Sequence, residues 1–335
     1  MIMVSYDYVT FINTLTKAVN NGDVPMERID DAVRRILAVK FQLGLFERPF
    51  ADQSSLPLVG SDEHRELAGE AVRKSLVLLK NDNHRLPLAK DTPLILVAGQ
   101  AAKDVGIQCG GWTIEWQGKR GNITPGTTIL EAIENAVFEN TTVVYNKWGR
   151  FKRVTDEIAD VGIVVVGEMP YAEGVGDRAD LTLSERDIAL IELVKERSER
   201  IVVILISGRP MIVTEHLGQW DAFIAAWLPG TEGEGVADVL FGDYPFTGKL
   251  SYTWPKSMAQ VPFDPASSEA PLFPFRYGLD TEDTKLSTGI LMTKIGNTLL
   301  VAGVATCHQR GTQRLREQYT RERRIQSCQR SSVCT

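Results

Sequence analysis

Two stretches of the chain hold residues suited to chemistry. The first, Val161 to Asp177 (VGIVVVGEMPYAEGVGD), runs from β-branched residues into a glycine-rich loop carrying Glu168, Tyr171, Glu173 and Asp177. The second, Gln108 to Gly118 (QCGGWTIEWQG), sets Trp112 and Trp116 close to Gly110, Gly111 and Gly118. A carboxyl group can give and take a proton, and an indole presents a broad flat face that suits the C–H surface of a sugar ring. Glycoside hydrolysis commonly uses two carboxyls, one protonating the leaving oxygen and one acting as nucleophile or activating water. One half of that pair is visible, with Glu173 and Glu168 as first candidates. An acid beside apolar aromatic surface would also be favoured in its protonated form. The plainer alternatives stand beside this reading: acidic residues in glycine-rich loops are mostly solvated, and both tryptophans could fill the core.

Such loops need strands to carry them. Val161, Ile163, Val164, Val165 and Val166 read as a strand buried on both faces, the pattern of a parallel sheet covered by helices. In such sheets ligands bind in the crevice outside the strand carboxyl ends. After Pro93, strands at Leu94–Ala98, Thr142–Tyr145, Val161–Val166, Ile201–Ile206, Ala222–Trp227 and Leu250–Trp254 alternate with helices at Thr127–Val137, from Ser184 to about Arg197, Met211–Leu217 and Gly233–Leu240. Thr127 or Thr128 can cap the first of these helices, and Ser184 the second. The βαβα order gives the fold class: α/β, a mostly parallel sheet with helices on both faces.

Before this region, Phe11 to Leu45 reads as helices, preceded by a short strand at MIMV, as though the chain opened on the tail of a larger α/β unit. Residues 46–74 form a proline- and serine-rich linker followed by a helix, and residues 75–280 the α/β domain, whose first strand is expected at Ser75–Leu79. Residues 281–335 lose the alternation, gather arginines and read as an atypical, disordered tail.

Composition excludes several functions. A 335-residue chain that is 43% hydrophobic can bury a large core, and a net charge of −6 offers no positive field for nucleic acid. No apolar run is long enough for a membrane helix, and MIMVSYDYVTF lacks the basic region and apolar core of a secretory signal. Of the cysteines, Cys109 stands alone while Cys307, Cys328 and Cys334 cluster near the end, so neither a disulfide framework nor a zinc spacing emerges. No G-x-G-x-x-G or P-loop follows the Leu94 strand, which disfavours a nucleotide-binding role.

The strings RKSLVLLKND (Arg73–Asp82), CGGWTIEWQG, VGEMPYAEGVGD, LISGRPM (Leu205–Met211), AWLPGTEGEGVADVLFGDYPFTGKLSYTWP (Ala226–Pro255) and RYGL (Arg276–Leu279) resemble the second domain of glycoside hydrolase family 3, especially plant β-D-glucan exohydrolases and related β-glucosidases. The resemblance runs from Met1 to about Leu279. It implies an α/β sandwich supplying the acid/base to a retaining enzyme whose preceding (β/α)8 barrel supplies the nucleophile. Glu173 matches the acid/base. Trp116 matches a tryptophan that clamps the sugar, with Trp112 its neighbour, while Glu168 and Asp177 would shape the loop. Residues 1–45 would be the remnant of the barrel's end, so the nucleophile is absent and the chain alone is expected to be inactive. The implied ligand is a β-glucoside or β-glucan oligosaccharide, the implied partner the missing barrel, and the implied location extracellular or cell wall. No metal or organic cofactor is implied. The competing reading is a carbohydrate-binding or regulatory module without catalysis.

Overall fold

The computed structural model describes residues 2–281 and two short strands beyond them, and divides into two units, Met1–Ala71 and Val72–Thr335. The first unit contains α1 (Tyr8–Asn20), α2 (Met26–Gln42) and most of α3 (Asp62–Ser75). Asp7 caps α1 by accepting the Thr10 N–H at 3.0 Å, and Pro25 stands immediately before α2 with φ −62. Neither α1 nor α2 buries a residue, and Val33, Leu37 and Phe41 along α2 stay exposed. Of the strand expected at MIMV, residues 2–4 pair with no neighbouring strand among the described residues. A strand exists only where another backbone satisfies its N–H and C=O groups, and β-branched sequence cannot supply one.

The second unit runs β1 (Val77–Asn81), β2 (Leu94–Ala98), α4 (Val105–Cys109), α5 (Ile129–Ala136), β3 (Thr142–Asn146), β4 (Val161–Gly167), α6 (Glu185–Lys195), β5 (Ile201–Ile206), α7 (Thr214–Leu217), β6 (Ala222–Trp227) and α8 (Glu234–Leu240). These six strands form one sheet in the order β1-β6-β5-β4-β2-β3, parallel except for β1, which runs antiparallel to β6. Side chains alternate between the faces, as the pleat requires. Ile95, Val97, Ile163, Val165, Val202 and Ile204 pack beneath α5 and α8. Leu96, Val164, Val166, Val203, Leu205 and Phe223 pack against α6, α7, Trp220 and Trp254. Each such buried aliphatic side chain contributes about 1.5–3 kcal/mol, so the sheet is a rigid platform for its loops.

Local signals set the helix starts. Thr128 and Glu131 form a reciprocal capping box on α5, and the Ser184 hydroxyl accepts the Asp187 N–H at 3.1 Å to open α6. Three expected elements differ. Leu250–Trp254 is not a strand: Leu250 and Trp254 each pair with the segment 272–277, through Leu250 N–H to Tyr277 O and Trp254 N–H to Phe273 O, both 2.8 Å, without a continuous ladder. The helix expected over Met211–Leu217 is shortened to α7, because Ile212 is extended and donates its N–H to Leu181 O at 2.8 Å. The first strand begins at Val77 rather than Ser75 and continues to Asn81.

Within the stretch read as a tail, β7 (Met292–Ile295) and β8 (Thr298–Val301) pair antiparallel. Its remainder, residues 282–291, 296–297 and 302–335, lies outside the described residues. Among the described residues no helix is long and apolar enough to cross a membrane.

The strand order fixes where a ligand crevice forms. From β2 the chain moves outward to the edge strand β3, then returns to the other side of β2 as β4 and proceeds to β5 and β6. Neighbouring β2 and β4 therefore send their following loops apart, which is the topological switch point of an open α/β sheet. These are the strands that precede the two loops singled out in the sequence.

Candidate active site

The loop after β4 is held by a buried carboxylate. Gly167 leaves the strand at φ +148, and the Glu168 N–H donates to Ile206 O at 2.9 Å, fastening the turn to the end of β5. The Glu168 side chain, 6% exposed, accepts Arg209 Nε at 3.1 and 3.2 Å, Arg209 Nη2 at 2.6 Å, the Tyr171 hydroxyl at 3.0 Å and Arg178 Nη1 at 3.4 Å. The Arg209 guanidinium also lies 4.7 Å from the centre of the Tyr171 ring. Burial, reinforced by the adjacent Glu168 carboxylate, pushes the Tyr171 phenol up to about 12. With Arg209, Arg178 and Tyr171 all bonded to it, the Glu168 side chain is taken up in holding the loop together.

Glu173 is placed differently. It opens a short 3-10 turn, Glu173–Gly176, with φ +50, and its side chain is exposed. The residue before it, Ala172, is buried at 3% exposure. Asp177 closes the turn through its N–H, which donates to Gly174 O at 3.1 Å. The apolar enclosure expected around Glu173 is not supplied by its own loop.

The tryptophan loop is closed at its base by Asp104, which accepts the Ile107 N–H at 3.0 Å as the cap of α4 and the Gly121 N–H at 2.7 Å. The fully buried Gln108 pins it from below. Its amide donates to Thr127 O at 3.3 Å and Gly230 O at 3.2 Å, and its carbonyl accepts the Ile129 N–H at 3.0 Å. Within the loop the Trp112 N–H donates to Trp116 O at 2.9 Å, and Glu115 pairs with Lys119. Neither indole enters the core: Trp112 is 68% and Trp116 48% exposed, with ring centres 6.3 Å apart and planes tilted by 48°. Two adjacent exposed indoles form an apolar patch of the kind that marks a binding surface.

The two loops touch. The Ala172 N–H donates to Gln117 Oε1 at 2.9 Å, so the neighbour of Trp116 holds the neighbour of Glu173. At Gly111 a Cβ would lie 2.1 Å from Tyr171 O, a backbone approach that only glycine permits. Glu173, Trp112 and Trp116 thus stand on packed, mutually braced loops at the switch point. Gln117 and Arg209, which secure them, were not singled out in the sequence. Their only signal was position, Gln117 inside the tryptophan loop and Arg209 just beyond the strand next to β4.

Residues 76–281 match the glycosyl hydrolase family 3 C-terminal domain. The chain belongs to glycosyl hydrolase family 3. Among family 3 relatives, it is 32% identical over 305 residues to a lysosomal beta glucosidase of Dictyostelium discoideum, a match covering 83% of this chain and 37% of that protein. Among solved structures it is similar to a mutant exo-1,3/1,4-beta-glucanase from a Pseudoalteromonas species, with 39% identity and a TM-score of 0.75, covering 82% of this chain and 46% of that one. It is also similar to a mutant beta-glucosidase from Listeria innocua in complex with laminaribiose, with 28% identity and a TM-score of 0.69, covering 79% of this chain and 40% of the other. The family 3 chain described here therefore spans less than half the length of each of these relatives. Its fold is the family's α/β sandwich, and its relatives include β-glucosidases, glucanases and β-xylosidases.

Proposed function

We infer that this chain provides the acid/base half of a retaining β-glucoside-cleaving site, with Glu173 as the proton donor and Trp116 and Trp112 as the sugar platform. The observation that supports this reading is the Ala172–Gln117 hydrogen bond, which joins the loop of the exposed Glu173 to the loop of the two exposed indoles. In the reaction Glu173 protonates the departing glycosidic oxygen, then takes a proton from the water that releases the sugar. Glu168 does neither. Saturated with donors, it holds Tyr171 and Arg209 in place and so sets the course of the loop that ends in Glu173.

The nucleophile belongs to a barrel portion that these residues do not include. The uncovered apolar faces of α1 and α2 support this, since they have the character of surfaces that pack against more protein. A substrate with laminaribiose-like β-glucosyl units is the class taken here, as in the Listeria innocua complex. The purified chain is expected to show saturable quenching of indole fluorescence with laminaribiose, lost in Trp116→Ala, and no turnover of an aryl β-glucoside. Robust turnover by the chain alone would contradict the missing nucleophile, and absence of any saturable quenching would contradict the platform. If the sugar binds while the site never cleaves it in any assembled form, the non-catalytic module becomes the better description; the side-by-side exposed indoles are the feature that favours it.

A further inference from the structure

A concavity opens at the carboxyl ends of β2, β3, β4 and β5. Its volume is about 850 Å³, and neither Glu173, Trp112 nor Trp116 lines it. Its floor is apolar, with Leu183, Leu190 and Met211 among its walls and the 40% exposed Trp148 at its edge. That indole is positioned by a built turn. The Trp148 N–H donates to Asn146 Oδ1 at 2.9 Å, and Gly149, at φ +67, lets the chain close down on α6, where a Cβ would come within 3.0 Å of Leu190 Cδ1.

Charge distinguishes this pocket from the rest of the molecule. Five basic side chains and two carboxylates line it, in a chain whose net charge is −6. Arg178 and Arg209 are engaged with Glu168. Lys147, Arg150 and Arg186 form no ion pair among the described residues. Lys147 Nζ lies 4.8 Å and the Arg186 guanidinium 4.2 Å from the Trp148 ring centre, so both cations sit at the aromatic rim. The two carboxylates have partners of their own: Glu168 carries the donors of Arg209, Arg178 and Tyr171, and Asp187 Oδ2 accepts the Ser184 hydroxyl at 2.8 Å.

We propose that this pocket binds an organic anion with a flat apolar body, an aromatic carboxylate in chemical class, at a site separate from the sugar platform. The apolar floor takes the ring. The carboxylate meets Arg186, Lys147 and Arg150, where charge-assisted hydrogen bonds form without displacing an existing partner. A hydroxyl-rich ligand suits the pocket poorly, because its polar groups would be pressed against the apolar floor. This inference does not depend on the role of Glu173.

The test is calorimetric titration of the whole chain with naphthoate, the isosteric neutral naphthamide, and glucuronate. Naphthoate is expected to bind at one saturable site, with the amide about tenfold weaker, as loss of one charge-assisted contact implies. Arg186→Gln, a substitution at an exposed position, should weaken naphthoate about tenfold. Trp148→Ala should abolish binding, and Trp116→Ala should leave it unchanged. Equal affinity for naphthoate and naphthamide, tighter binding of glucuronate, no binding of naphthoate, or loss of binding in Trp116→Ala would each overturn the proposal. Should Trp148→Ala fail to fold, the Arg186→Gln result decides.

Discussion

Ala172 donates its backbone N–H to the side-chain oxygen of Gln117 at 2.9 Å, across 55 residues of sequence. This bond couples two loops that leave neighbouring strands in divergent directions, one carrying the exposed Glu173 and the other the exposed indole pair. Replacing Gln117 by Ala leaves a partly buried N–H without its acceptor, which costs about 1–3 kcal/mol. Urea denaturation should show that loss, and laminaribiose quenching of Trp116 should weaken in parallel.

Glu168→Gln removes the charge that Arg209 and Arg178 share. Arg209 is only 24% exposed and would be left partly buried without its counter-ion. Removing one member of a buried pair costs about 3–5 kcal/mol, and the lower end applies because Arg209 retains some solvent contact. A double-mutant cycle with Arg209→Met should recover part of the loss, since the second change removes the uncompensated cation.

The Tyr171 phenol, pushed up to about 12, makes stability depend on alkaline pH. An unfolded tyrosine ionises near pH ~10, so between that value and about 12 the unfolded state holds fewer protons than the folded one and stability falls as pH rises. Below pH ~10 the contribution is fully present. Denaturation midpoints measured across this window should decline in the parent and decline less in Tyr171→Phe.

Burial separates the two units energetically. Ile163 lies in the sheet at 0% exposure, and Ile163→Ala should cost about 2–5 kcal/mol. Leu37 on α2 is 38% exposed, and Leu37→Ala should change stability by no more than about 0.5 kcal/mol. Equilibrium unfolding of both variants checks the contrast.

Much of the sheet was legible because burial on both faces leaves a strong local trace. The apolar runs Leu94–Ala98, Ile201–Ile206 and Ala222–Trp227 have the limits observed for β2, β5 and β6. The Ser184 cap was equally plain and the other was narrowed to Thr127 or Thr128, of which Thr128 serves, since a cap acts within three residues of itself. Long-range pairing left no such trace. Leu250–Trp254 looks like a strand but meets only scattered partners in 272–277, and residues 2–4 have no strand partner among the described residues. Glu173 and Trp116 stood out by residue type and loop context, whereas Gln117 and Arg209 matter through what they reach, 55 and 41 residues away. Periodicity carries no record of a side chain's distant partner.

The account stands or falls on Glu173 as a proton donor. The direct measurement is hydrolysis by a hybrid in which this chain's α/β domain replaces that of the Pseudoalteromonas exo-glucanase, compared with its Glu173→Gln variant. On a glucoside with a poor leaving group, loss of the acid should lower kcat/KM by about 10²–10⁴-fold. On an activated aryl glucoside, added azide should restore turnover by intercepting the glycosyl-enzyme. An active hybrid whose Glu173→Gln variant still cleaves the unactivated glucoside at the parent rate would contradict the assignment.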